Sequence, residues 1–458
     1  MERLRRLLGN RPGREPAYER VAEVDPLGPE SPVAGGRRDS YDRHEEVPFS
    51  WLEYGIFALL GVAMLWAWNM FLAAAEYFHT RFESAPWIAD RSQSAILTVS
   101  TITNLSVMLI LQHLQTGASY PFRINLALII NTVVFSMLAA STVILVDVSP
   151  GWYLTFLLTT VALSAYATGL IQNGAFAFAA SFGRAEYMQA LMAGQGVAGV
   201  LPPIAQIASV LGVSDAALEE TRGSSTAAFV YFLTAVAISL TALLAFIPLA
   251  RRHGTITEGR LAEQMDESMV SIEEAEMTVR KEASMRRLFT KLPFLSIALV
   301  LCFSVTMFFP VFTAKILSVH NGEDTPALLR PNAFVPLGFF VWNLGDLTGR
   351  VSTALPFSLR HRPALLFLIS LARIGMVPLY LLCNIGGRGA KVESDLFYLF
   401  IVQLFFGLTN GWLGSSCMMA AGEWVDEGER EAAGGFMGFC LVLGLALGSL
   451  LSFTVADT

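Results

Sequence analysis

The sequence predicts an all-α integral membrane protein with eleven transmembrane helices, arranged as six plus five in two lobes. Three observations carry that expectation. The 458 residues are 54% hydrophobic and only 15% charged, whereas soluble domains carry about 25% charged residues. Eleven apolar runs are each long enough for a crossing, which takes about 20 helical residues. Lys and Arg gather in two places that an even number of crossings puts on one side of the membrane.

In chain order, residues 1–48 come first. Rich in Arg, Glu, Pro and Gly ("RRLLGNRPGREPAYERVAEVDPLGPESPVAGGRRDS"), they cannot bury a core and are expected to be a disordered cytosolic tail. They lack the short apolar stretch of a cleavable signal, so the first span is expected to direct insertion. The spans are expected at 51–72, 93–114, 122–146, 152–178, 187–211, 227–250, 292–318, 332–355, 363–385, 395–419 and 432–455. The N-terminal lobe thus covers 49–250 and the C-terminal lobe 292–458, with a charged cytosolic loop at 251–291. Arg3, Arg5, Arg6, Arg37 and Arg38 in the tail, with Arg251, Arg252, Lys281, Arg286 and Lys291 in the loop, put the N-terminus in the cytosol. Two bundles joined by such a loop suit a carrier whose halves rock about a midplane site.

The stretch "VWNLGDLTGRVS" (341–352) puts charge into an apolar run. Asn343, Asp346 and Arg350 fall on one helical stripe, and Asp346 and Arg350 are i, i+4 neighbours able to pair. Pairing lowers the insertion cost, and intramembrane ionisable groups point to function by default; a structural ion pair is the alternative. Gln172 and Asn173 bring amides into the fourth span, suited to a base edge or to interhelical bonding. "GQGVAG" (194–199) matches a dinucleotide fingerprint, but no strand precedes it. Its glycines, like Gly444 and Gly448, are read as small residues for close helix contact. Trp66, Trp68 and Asn69 end the first span, where an aromatic belt competes with a stacking platform. Arg373 is a further buried cation, while Glu76 and His113 lie near span ends. The four cysteines are scattered within apolar runs and read as fillers, not disulfides or zinc ligands. No hydrolase or nucleotide-binding motif and no basic-aromatic cluster appears, so neither an enzyme, a cofactor protein nor a nucleic-acid binder is expected.

Taken together and in collinear order, "WNMF" (68–71), Gln172 followed by "NGAF", "GQGVAG", "NLGDLTGR" (343–350), "RIGMVPLYLLCNI" (373–385), "TNGWLGSSCMM" (409–419) and "EAAGGFMGFCLVLGLALGSLLSF" (431–453) resemble the equilibrative nucleoside transporter family over residues 51–456. The resemblance implies a major-facilitator-like arrangement around a central cavity, with nucleosides, and in some members nucleobases or a coupled proton, as cargo. It implies a substrate site of Leu65, Trp68 and Asn69 in span one, Gln172 at the base, Phe303 in span seven, Asn343 with the Asp346–Arg350 pair at the sugar, and Leu445 in span eleven. Thr103 and Asn104 are the span-two candidates. Ala67 stands where the family usually has proline.

The expectation is therefore a facilitative nucleoside carrier working by alternating access. A proton-coupled carrier of nucleosides or other polar solutes, through Asp346 or Glu76, is the first rival. A non-transporting receptor or structural membrane protein is the second. "ERLRRLL" (2–8) is similar to an acidic di-leucine sorting signal, except that Glu2 stands one residue too far from Leu7 and Leu8; a vacuolar or lysosomal-type membrane is expected over the plasma membrane.

Overall fold

Proline and serine set where the helices begin. Proline lacks the amide hydrogen that a first turn cannot use anyway, and it occupies the first turn of six helices here. Ser50 and Ser119 cap two helices by accepting from the amides of Glu53 and Phe122. The computed structural model describes residues 49–115, 118–212, 224–267, 284–320, 325–356, 358–452 and 454. The expected tail at 1–48 and the centre of the loop at 251–291 lie outside them.

The main helices are α1 Trp51–Ala73, α2 Pro86–His113, α3 Tyr120–Ile144, α4 Pro150–Ser181, α5 Ala185–Gly212, α6 Ser225–Glu267, α7 Pro293–Thr306, α8 Pro331–Ser352, α9 Pro363–Ala372, α10 Phe405–Ala421 and α11 Arg430–Ser452. Among the described residues, ten helical stretches are long and apolar enough to cross a membrane. The helix missing from that ten is α8. Its 22 residues reach the length, but Asn332, Asn343, Asp346 and Arg350 dilute its hydropathy.

Several spans are less regular than the sequence suggests. The seventh breaks at Met307 and resumes as Phe308–Thr313. Pro310 accounts for this, because its ring clashes with the carbonyl of residue i−4, Thr306. The ninth continues beyond α9 as a 3₁₀ helix, Arg373–Leu382, with Pro378 inside it. The tenth opens with a π-helical stretch, Phe397–Leu404, before α10. In the other direction, α6 runs on past the expected end at 250, for 43 residues in all.

Two aromatic cores form. One gathers Phe71, Phe78, Phe135, Tyr153 and Phe232 from the first half, and the other Phe309, Phe312, Phe334, Trp342, Tyr380 and Phe406 from the second. Between the halves, α5 packs on α8, and α11 packs on α4 and α2. Within the second half, α8 and α10 approach closely enough that only glycine fits. A Cβ on Gly345 or Gly349 would stand 2.3 and 2.1 Å from the carbonyl oxygens of Leu404 and Leu408. One on Gly407 or Gly411 would stand 2.0 and 1.8 Å from those of Trp342 and Asp346. Each helix thus presents a small-xxx-small pair to the other. In the first half, Gly61 and Gly194 make the same kind of contact between α1 and α5.

Candidate functional site

A cleft of about 90 Å³ opens between α1, α2 and α4, lined by Met64, Leu65, Trp68, Phe71, Ser100, Asn104, Val161, Ser164, Ala165, Thr168 and Gln172. None of the lining side chains is charged, so the cleft suits a neutral ligand. Trp66 turns away and donates to Thr234 of α6 at 3.1 Å, whereas Trp68 presents its indole to the cleft. Asn104 Nδ2 donates to Gln172 Oε1 at 3.2 Å. Its own Oδ1 is buried without a partner among the described residues. A planar indole, an amide pair with a spare acceptor and hydroxyls at Ser100, Ser164 and Thr168 together match a flat heteroaromatic with a hydrogen-bonding edge.

Asp346 and Arg350 lie elsewhere, at the junction of the two halves. Arg350 Nε donates to Asp346 Oδ2 at 2.7 Å, with both side chains 6% exposed. Arg350 Nη1 reaches across to α5, where Met192 O accepts at 3.0 Å and Gln195 Oε1 at 3.1 Å. The other carboxylate oxygen, Oδ1, accepts from Asn410 Nδ2 of α10 at 2.7 Å. Asn410 Oδ1 in turn accepts from Thr306 Oγ1 at 2.6 Å and from Arg373 Nη1 at 3.1 Å. Arg373 also lies against Cys302 Sγ at 2.8 Å and over the Phe406 ring. A charge pair removed from water is best tolerated when its donors and acceptors are satisfied; here both Asp346 oxygens and Arg350 Nε and Nη1 have partners, whereas Arg373 Nε is buried without one among the described residues.

The remaining sequence candidates surround α5 and α11. Asn69 Nδ2 donates to Ala198 O of α5 at 2.7 Å. Asn343 Nδ2 folds back onto Phe339 O at 2.8 Å, while its Oδ1 overhangs Gly199. Phe303 is buried against Gly414 and Gly444, and Leu445 is half-buried on α11. None of these four lines the cleft, nor does Thr103. Sequence reasoning missed Gln195 and Asn410 as partners of the ion pair. Both lie in quoted motifs, "GQGVAG" and "TNGW", but on glycine-rich helices with no polar face to reveal their direction. Among the described residues, no group of three or more His, Cys, Asp or Glu could hold a metal ion.

Comparison with known proteins agrees with this architecture. A family model described as "Nucleoside transporter" matches residues 158–456. "Nucleoside transporter FUN26" of Saccharomyces cerevisiae is 30% identical over 449 residues, covering 88% of this chain and 83% of its own. "Equilibrative nucleoside transporter 1" of Homo sapiens is 28% identical, covering 90% and 97%. Among solved structures, the human organic anion transporter MFSD10 superposes with a TM-score of 0.52 at 13% identity, over 88% of this chain and 93% of that one. The proton:xylose symporter XylE of the major facilitator superfamily gives 0.50 at 13% identity, over 89% and 87%. These two likenesses concern the fold, a major-facilitator-like helical bundle. With a family model spanning more than half its length and a relative 30% identical along most of both chains, this chain belongs to the equilibrative nucleoside transporter family.

Proposed function

We propose that the chain moves nucleosides down their gradient across a membrane by alternating access, and not by catalysis. The observation that carries the reading is the uncharged Trp68–Gln172 cleft in a chain of this family, set in one lobe of a two-lobed bundle. Trp68 and Leu65 bound the base, and Gln172, with Asn104, reads its edge. Asp346 and Arg350 take the sugar hydroxyls once Arg350 Nη1 exchanges its α5 acceptors for them. Asn69, Asn343, Phe303 and Leu445 form the wall that moves with the lobes. The cleft's 90 Å³ is well below the ~300 Å³ at which small-molecule pockets begin, so the cleft widens to admit cargo.

The finer topology follows from the same reading. The polar stripe of α8 faces the lobe junction, which lets it serve as an eleventh span between lobes 49–250 and 292–458. The basic tail and loop put the N-terminus in the cytosol. A vacuolar or lysosomal-type membrane, nucleobases as further cargo and proton coupling extend the proposal. Uptake of labelled uridine and adenosine into proteoliposomes, at acidic and neutral external pH, tests it. Saturable uptake, competed by unlabelled nucleosides and lost in Trp68→Ala, is the expected result. Flux independent of pH removes the coupled form, and no flux of any nucleoside overturns the reading.

A further inference from the structure

A second set of buried polar groups takes no part in the site described above. Gln112 on α2 is 4% exposed and Asn173 on α4 is 1% exposed. Both amide atoms of Gln112, and Nδ2 of Asn173, lack a hydrogen-bond partner among the described residues. Arg123 of α3, also buried, donates to Asn173 Oδ1 at 2.5 Å and to Leu114 O at 2.5 Å. The two amides converge on Gly435 of α11, where a Cβ would stand 3.1 Å from Asn173 Nδ2 and 3.2 Å from Gln112 Oε1. A buried, unpaired polar group costs about 1–3 kcal/mol, so three such atoms in one place call for an explanation beyond packing.

Their position supplies one. Gln112 lies two turns along α2 from Asn104, on the same face. Between them sits Met108, whose Cε is 3.5 Å from the Cβ position of Gly438. Phe176, one turn past Gln172 on α4, reaches within 2.6 Å of that same point. Along α2 the order is therefore polar Asn104, apolar Met108, polar Gln112. On α4 Asn173 directly follows Gln172, and its amide joins Gln112 at Gly435 of α11, one turn from Gly438, where Met108 and Phe176 meet.

We propose that Gln112 and Asn173, backed by Arg123, form a second nucleoside station at Gly435 of α11, past Met108 on α2, used when α11 moves off α4. An inference of this kind rests on the carrier reading above. The carboxamide of Gln112 presents a donor and an acceptor side by side, which matches the amide-like edge of a nucleobase. With α11 seated, Gly435 closes the station and leaves no room for cargo. With α11 displaced, the amides face the opening and their unmet hydrogen bonds favour a polar ligand there. A neutral nucleoside would thus pass along α2 from Asn104 to Gln112, with Met108 between.

The test compares nucleoside influx with efflux in proteoliposomes of known orientation, for wild type, Gln112→Leu and Gln112→Met. Both substitutions remove unpaired polar atoms from a buried place, so thermal stability should hold or rise. The KM for uridine measured from the Gln112 side should rise about tenfold, the equivalent of one hydrogen bond of roughly 1.4 kcal/mol. The KM from the Trp68 side should stay within about twofold. If folded variants keep the wild-type KM on both sides, the amides are structural and this station does not exist. A wild type that moves no nucleoside overturns the carrier reading and this proposal together, whereas normal flux with unchanged sidedness overturns this one alone.

Discussion

The Asp346–Arg350 network and the Trp68–Gln172 cleft are both polar places in an apolar bundle, yet they are built oppositely. Around the ion pair, both carboxylate oxygens and the guanidinium Nε and Nη1 have protein partners. In the cleft, Asn104 Oδ1 is left over. The difference follows from the energies involved. An unpaired charge inside a bilayer protein costs several kcal/mol, so it must stay partnered in every conformation. An unpaired amide oxygen costs about 1–3 kcal/mol, which a fold can tolerate while it waits for a ligand. The charged pair is therefore held by protein partners, while the cleft keeps one amide acceptor unused.

Three substitutions can break or sharpen that contrast. Arg350→Ala has the largest expected effect, because it strands Asp346 as an unpaired buried carboxylate and removes the bridge to Met192 and Gln195. Thermal unfolding in detergent should show a loss of about 3–5 kcal/mol, and uptake should vanish; a variant as stable as wild type would contradict the contrast. Asn410→Leu comes next. It takes the donor from Asp346 Oδ1 and the acceptor from Thr306 and Arg373 while leaving the ion pair itself, for an expected loss of about 1–3 kcal/mol. Uptake should persist with a raised KM. Gln172→Leu should have the smallest effect on stability, within about 1 kcal/mol, since its one cleft bond is to another amide. Nucleoside affinity should nevertheless fall about tenfold in uptake competition, which sets reading apart from holding.

Much of this was legible in the sequence where a feature is local. The spacing of Asp346 and Arg350 spelled out their pairing. Glycines of "GQGVAG" were read as close-contact residues, and Gly194 does face the Ala58 carbonyl of α1. What stayed hidden depends on which helix comes next in space. Gln195 and Asn410 find their partners on other helices, and no periodicity announces that when small residues surround them on every face. The breaks at Pro310 and Pro378 were written in the sequence but disguised by unbroken hydropathy. The Gly345–Gly349 and Gly407–Gly411 pairs were equally visible as spacings, although only the fold shows that they face each other.

The close seating of α8 on α10 has a kinetic consequence. Glycine against carbonyl leaves no slack between these two helices, so Asp346 and Asn410 travel together whenever either helix moves. Arg350 therefore has one end on a fixed mount and the other on α5, outside that mount. Separation of α5 from α8 ruptures the two Nη1 bonds and spares the Nε bond. At about 1 kcal/mol for each ruptured bond, and a tenfold change in rate for every 1.36 kcal/mol, a single side chain can slow the parting of the halves by more than an order of magnitude. On that arithmetic Arg350 acts as an escapement that sets the tempo of the cycle.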